Sequence, residues 1–183
     1  MLPIYSPEED SFLLSSVLKK EIPKNLLKNK NLRILEIGSG SGIQIKTLLG
    51  FGIKKQNIFA CDINPKAVKH CKELGFNCIQ SNLFEKINGK YNLIIFNSPY
   101  LPEDNLEDKD SRLATTGGKK GSEIINKFLL QSKKHLAKEG KIFLVTSSLT
   151  KGIKWNGWKK KILAKQKLFF EEIYVWELFV QSL

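Results

Sequence analysis

Arginine is nearly absent from this 183-residue chain: Arg33 and Arg112 are the only two among 30 basic residues, and the formal net charge is +12. Lysine is a solvated point charge, whereas arginine is the bidentate reader of phosphate and guanine. The charge is therefore compatible with compositional drift, and equally with attraction to an RNA-rich assembly through a basic surface. Cysteine is scarce too. Cys61, Cys71 and Cys78 contain no Cys-x-x-Cys pair, which excludes a disulfide scaffold, suggests no metal site and reads as buried, reduced thiols. The two histidines, His70 and His135, sit amid lysines without a ligand pattern. No apolar run approaches the roughly 20 residues of a membrane-spanning helix. The first ten residues carry Glu8, Glu9 and Asp10 where a secretory signal carries bases, so the expected location is cytoplasmic. What the chain does have is 42% hydrophobic residues, three Trp and eleven Phe. That content excludes pervasive disorder and suits one α/β domain over 1–183.

Local signals lay out that domain. Ser6 is placed to cap a helix, with Pro7 at its first position and Glu9 completing a capping box. Phe12, Leu13, Leu14, Val17 and Leu18 form its apolar stripe. Strands are expected at 32–37, 57–62, 76–80, 91–96 and 141–146. Helices are expected at about 42–49, from Asn64-Pro65 to a stop at Gly75, and from Gly121 to Ala137. A long polar loop runs from about Ser98 to Lys120. The tail reads as a closing pair of strands, with Trp155, Trp158 and Trp176 as core or interface anchors. Strand–helix alternation implies an open, largely parallel sheet with helices on both faces.

Two segments carry chemistry. Glu36-Ile37-Gly38-Ser39-Gly40-Ser41-Gly42 joins a strand to a helix through a turn whose glycines admit a ligand close to the backbone. A dinucleotide fingerprint wants Gly at the position of Ile43, so the spacing is Gly-x-Gly-x-Gly instead. Asp62 ends the second strand, where a carboxylate can accept both hydroxyls of a ribose. The other segment, Asn97-Ser98-Pro99-Tyr100, ends the fourth strand, near where ligands sit in such sheets. An amide oxygen at Asn97 and the Ser98 carbonyl can accept both hydrogens of a planar NH2 group, Pro99 stiffens the turn, and Tyr100 can stack on the plane.

The glycine turn preceded by Glu36 resembles motif I of class I S-adenosylmethionine-dependent methyltransferases. Asn97-Ser98-Pro99-Tyr100 is similar to the Asn-Pro-Pro-Tyr motif of amino-methyltransferases, with Ser98 in place of the usual Pro. Tyr5-Ser6-Pro7-Glu8-Glu9-Asp10-Ser11-Phe12-Leu13-Leu14, Gly117-Gly118-Lys119-Lys120-Gly121 and Leu168-Phe169-Phe170-Glu171 resemble the archaeal and eukaryotic branch of HemK-type protein-glutamine methyltransferases. This resemblance covers essentially the whole chain, without the extra N-terminal domain of bacterial relatives. It implies a three-layer, Rossmann-like fold with a seven-stranded, mostly parallel sheet and an antiparallel terminal strand. The implied cofactor is S-adenosyl-L-methionine, contacted by Tyr5, Ser11, Glu36, Gly38, Gly40, Gly42, Asp62 with Ile63, Asn82 with Leu83, and Asn97. Asn82 stands where the class often has an acid for the adenine amino group. The implied substrate is the Gly-Gly-Gln glutamine of a peptide-chain release factor. The implied partner is a small zinc-binding activator at the edge of the third strand, where Phe76, Cys78 and Ile79 would be available. Methylation of adenine, guanine or protein lysine, and a non-catalytic cofactor-binding role, are the alternatives that these residues leave open.

Overall fold

The computed structural model describes residues 4–22, 32–104, 107 and 109–180. Its sheet is built on the most apolar runs. The central strands β1 (Ile34–Ile37) and β4 (Tyr91–Asn97) are buried almost throughout, as strands covered on both faces must be. With β2 (Ile58–Asp62), β3 (Cys78–Gln80), β5 (Leu136–Ser147), β6 (Lys159–Lys167) and β7 (Glu172–Phe179), they form one seven-stranded sheet in the order β3-β2-β1-β4-β5-β7-β6. The five strands from β3 to β5 run parallel, while β7 is antiparallel to both β5 and β6. The expected α/β architecture is therefore present, including the closing pair of strands. Trp155 and Trp176 pack with ring centroids 5.2 Å apart against the core, and Trp158 is buried.

Short-range signals held where the chain makes its own contacts. The Asn64 side chain accepts the Lys66 N–H at 3.0 Å and caps α3 (Pro65–Glu73), an arrangement worth about 1 kcal/mol. Gly75, at φ 76°, ends it. The first helix differs from expectation. α1 (Glu9–Glu21) begins after Glu8, not Ser6, and has no side-chain cap. The Tyr5 hydroxyl reaches Glu8 and Asp10, which holds this entry segment outside the helix, and Glu9 and Asp10 serve the positive end of the helix dipole. Leu14, Val17 and Leu18 are buried, but Phe12 is exposed.

Further boundaries move. The loop after β4 contains a helix, α4 (Lys109–Thr115), although Asn105, Leu106 and Asp108 lie outside the described residues. α5 (Glu123–Ser132) starts later than Gly121 and gives way to a 3-10 turn at Lys133–His135. Gly121 instead presses its backbone on the Tyr100 carbonyl, and a Cβ there would overlap that oxygen. The glycine motif thus seats the Asn-Ser-Pro-Tyr segment. β5 begins at Leu136 because a register shift between Tyr91 and Leu93 lets its first residues join the ladder. At the far edge β3 starts at Cys78. That side chain is buried beside Ser39, so it is not available to a partner; Ile79 is exposed and Phe76 half-buried.

Candidate active site

A cavity of about 390 Å³ opens at the carboxyl ends of β1, β2 and β4, beside the start of α1. That volume lies within the ~300–1,000 Å³ typical of small-ligand sites. Its floor is the glycine turn. The Gly38 and Ser39 N–H groups donate to the Cys61 carbonyl at 2.8 and 3.1 Å, fastening the turn to β2. Gly40 has φ 46°, and a Cβ at this position would meet nothing within 4 Å, so ligand atoms can come up to its backbone. Gly38 and Gly40 line the cavity. Gly42 does not: it opens α2 (Ile43–Gly50) and faces Cys71 and Phe76, so its part is in packing the turn.

The acids at this floor are constrained. Asp62 accepts the Gly40 N–H at 2.9 Å and the Asn64 N–H at 2.8 Å, which aims its carboxylate along the cavity wall beside Ile63. Burial raises its pKa despite those bonds. Glu36 is almost fully buried, and its Oε2 has no hydrogen-bond partner among the described residues. Burial, then the neighbouring Cys71 and Asp62, push its carboxyl well above the usual carboxylate range. The Ile45 N–H bonds the carboxyl, but a buried carboxyl oxygen without a partner is still costly, and a nearby cation relieves it. The ammonium and sulfonium of S-adenosylmethionine are such cations, so the residues present fit this cofactor.

Farther along the wall, Asn82 donates its Nδ2 to Glu85 Oε1 at 2.9 Å, and Lys127 Nζ lies 3.6 Å from the same oxygen. A carboxylate can only accept, so the Asn82 oxygen is turned away from Glu85. Its neighbour Leu83 lines the same wall at φ 52°, a backbone setting sparsely used by side chains larger than Gly.

The opposite wall is built on Asp10. This buried carboxylate accepts the Tyr5 hydroxyl at 3.2 Å, the Tyr100 hydroxyl at 3.3 Å, the Asn97 Nδ2 at 3.1 Å and the Ser11 N–H. Ser11 Oγ takes a second bond from Asn97 Nδ2 at 3.2 Å. With both amide hydrogens committed, Asn97 Oδ1 remains buried without a partner among the described residues, at a residue lining the cavity. Burial, followed by the Asp10 charge, raises the pKa of both Tyr5 and Tyr100, so each stays a hydrogen-bond donor.

Two expectations change here. Tyr100 is buried and turned to Asp10; it does not line the cavity and is not placed to stack on a planar substrate group. Ser98, where Pro is usual, donates its hydroxyl to the Val145 carbonyl at 2.7 Å, so the turn is tied to β5 by a hydrogen bond in place of ring stiffness. Tyr5, Ser11, Ser98 and Pro99 do line the cavity. Sequence reasoning missed Asp10, Glu85 and Lys127 as site residues. It also missed Gln44, whose Nε2 bonds the Ser11 carbonyl at 2.9 Å and whose Oε1 accepts from Ser15. Asp10 stood in a recognised segment, but an acid in a first helical turn looks like a dipole partner until its tertiary neighbours are known.

Comparison with known proteins identifies the family. The model of the methyltransferase small domain matches residues 11–155. The chain is 39% identical to a protein of Methanocaldococcus jannaschii provisionally named protein N5-glutamine methyltransferase MJ0928, over 94% of this chain and 89% of that one. It is 29% identical to the eRF1 methyltransferase catalytic subunit mtq2 of Schizosaccharomyces pombe, over 81% of this chain and 74% of the relative. Among solved structures, the Mtq2–Trm112 complex of E. cuniculi has the same fold, with TM-score 0.71 at 21% identity, covering 97% of this chain and 98% of that one. These matches place the chain in the methyltransferase small domain family of S-adenosyl-L-methionine-dependent enzymes, within the HemK-type protein N5-glutamine methyltransferases.

Proposed function

We propose that the protein methylates the side-chain amide nitrogen of a glutamine in a protein, the Gly-Gly-Gln glutamine of a peptide-chain release factor, with residues 1–183 acting as one catalytic domain in the cytoplasm. The observation that carries this is the unpartnered Asn97 Oδ1, held in place because Asp10 and Ser11 take both hydrogens of the same amide. The names of MJ0928 and mtq2 support the glutamine and release-factor parts of the reading.

S-adenosyl-L-methionine supplies a methyl group on a sulfonium, which departs as a neutral thioether. Asp62 would hold the ribose hydroxyls, Glu36 the cationic amino-acid end, and Asn82 with Leu83 the adenine. Asn97 Oδ1 and the Ser98 carbonyl accept the two hydrogens of the glutamine NH2. That grip would fix the nitrogen and turn its lone pair into the cavity, where the methyl donor would lie. As positive charge grows on nitrogen, the two preset oxygens stabilise it without reorganising. The nitrogen gains the methyl group and loses one proton to water.

Peptide mass spectrometry of a release factor incubated with the enzyme and methyl donor tests the reading, with and without a small partner protein. The expected product is a 14-Da gain on the Gly-Gly-Gln glutamine. With total RNA and DNA offered in parallel and a labelled methyl donor, label found only in nucleic acid overturns the protein substrate. The partner arm rests on a second inference: a small zinc-binding protein extends the exposed β3 edge at Ile79 and Gln80. A neighbouring fold solved in complex with Trm112 supports the presence of a partner protein, while the β3 edge rests on its exposure alone.

The adenine wall gives its own prediction. Removing Glu85 (Glu85→Ala) frees the Asn82 amide to flip and donate to a 6-oxo purine. Calorimetry with S-adenosylhomocysteine and S-inosylhomocysteine is expected to show the preference for adenine falling about fivefold or more, on the scale of one hydrogen bond. Adding Asn82→Asp restores it, because a carboxylate has no donor face. An unchanged preference in Glu85→Ala removes Glu85 from this role.

A further inference from the structure

Within Leu168-Phe169-Phe170-Glu171, the two phenylalanines have no part in the site described above, yet they are the most exposed large hydrophobic side chains among the described residues. Phe169 is 98% exposed and Phe170 94%. The two rings stand side by side in sequence at the turn between β6 and β7. This turn is held firmly: Leu168 N–H donates to the Glu171 carbonyl at 2.8 Å, Ser148 N–H to the Glu172 carbonyl at 2.8 Å, and Glu172 N–H to Ser148 Oγ at 3.0 Å. Apolar rings gain by leaving water, and a fixed turn cannot fold these two back onto the core.

The topology decides where they point. β7 is antiparallel to β5, with Ile173 opposite Ser147 and Val175 opposite Val145, and Val145 in turn lies beside Asn97. The turn therefore extends past the carboxyl end of β5, the same end at which the cavity opens. It stands two inter-strand spacings from β4, roughly 10 Å to the side. Glu171 also joins the site electrostatically, since its charge, after burial and Asp10, helps hold the Tyr100 phenol protonated.

β6 leads to this tip with Lys159, Lys160, Lys161, Lys165 and Lys167 exposed. Among the described residues, Lys165 is paired with Glu172 at 3.2 Å and Lys160 lies over Trp155 and Trp176, while Lys159, Lys161 and Lys167 make no ion pair. Lysines protect an edge strand from unwanted pairing. They do not account for two bare rings at its end, which work against such protection. Aromatic anchors with a charged surround are what a protein interface presents.

We propose that the β6–β7 tip docks the folded protein that carries the target glutamine: Phe169 and Phe170 enter an apolar depression on it, and the β6 lysines face its acidic side chains. This rests on the glutamine reading and adds to it a second point of contact outside the cavity. A short peptide fills the cavity without reaching the tip, whereas an intact substrate meets both.

The test uses the full chain with Phe169→Ser and Phe170→Ser together, assayed on an intact release factor and on a short Gly-Gly-Gln peptide, with S-adenosylhomocysteine affinity measured in parallel. KM for the intact protein is expected to rise about tenfold or more, with kcat, peptide turnover and cofactor affinity unchanged. A second variant, Lys161→Glu with Lys167→Glu, is expected to raise the same KM at low salt, and less so as ionic strength increases. Unchanged KM for the intact protein overturns the proposal. So does an equal loss on peptide and protein, which would mean that the tip acts through the cavity. Loss of RNA binding, or of a dimer of this chain, with KM unchanged overturns it in favour of that occupant. Wild-type enzyme that, with the small partner protein and without it, methylates neither peptide nor intact release factor overturns the glutamine reading and the docking proposal together, an outcome distinct from the others.

Discussion

Asn97→Ala is expected to slow methyl transfer by about 10²–10³-fold, the usual cost of losing one preset group that stabilises developing charge. Cofactor affinity should change little, because the contacts proposed for ribose, adenine and the cationic end belong to Asp62, Asn82, Leu83 and Glu36, on the other walls. The reason lies in the Asn97 amide itself. Its Nδ2 is bound to Asp10 and Ser11 at 3.1 and 3.2 Å, so its contribution to the cavity is an acceptor alone. Alanine deletes that acceptor and leaves the substrate NH2 free to rotate back into conjugation with its carbonyl. Single-turnover kinetics with calorimetric measurement of S-adenosylhomocysteine binding separate the two effects. Turnover that survives within a few-fold of wild type would falsify the assigned role.

Asp10→Asn is expected to cost about 10²-fold in transfer while leaving a folded protein, since it changes one atom and almost no volume. The consequence follows from hydrogen-bond polarity. Asp10 accepts from Ser11 N–H, Asn97 Nδ2, Tyr5 and Tyr100, all donors. An asparagine that keeps its oxygen at the Oδ1 position still accepts from Ser11 N–H and Tyr5, and presents its NH2 to Asn97 and Tyr100. Asn97 then turns its own oxygen toward that NH2 and its Nδ2 toward the cavity, where donor meets donor. Asp10 is thus a positioning residue, and a merely structural role is excluded by a cycle: Asp10→Asn added to Asn97→Ala should cost little beyond Asn97→Ala alone. Full additivity of the two losses would sink the positioning role. The melting temperature should fall in Asp10→Asn whether or not Asn97 is present, because Tyr100 also loses an acceptor.

The two predictions differ in how visible their residues were beforehand. Asn97 follows an apolar strand in a recognisable segment, and strand-end position alone puts it near a ligand in a parallel sheet. Asp10 and Asn97 are 87 residues apart, and nothing in either neighbourhood says that they meet. The same division runs through the fold. Asn64-Pro65 and Gly75 bounded α3 correctly because a cap and a left-handed stop act within one helical turn. Ser6 failed as a cap because Tyr5 is tied to Glu8 and Asp10. Gly121 was mistaken for a helix start because its purpose is close contact with Tyr100, a partner 21 residues earlier. Tyr100 was read as a stacking platform because a tyrosine beside a site is equally suited to stack or to donate, and a buried acid on another element made it donate.

Periodicity, caps and glycine spacing, all local in range, determined on their own that this chain alternates strands and helices, where its ligand turn lies and which strand ends carry Asp62 and Asn97. The direction in which each polar side chain points was decided only by the tertiary structure. An amide or hydroxyl has both a donor and an acceptor face, and the groups that choose between them, Asp10 for Asn97 and Val145 for Ser98, come from other elements brought alongside by the sheet.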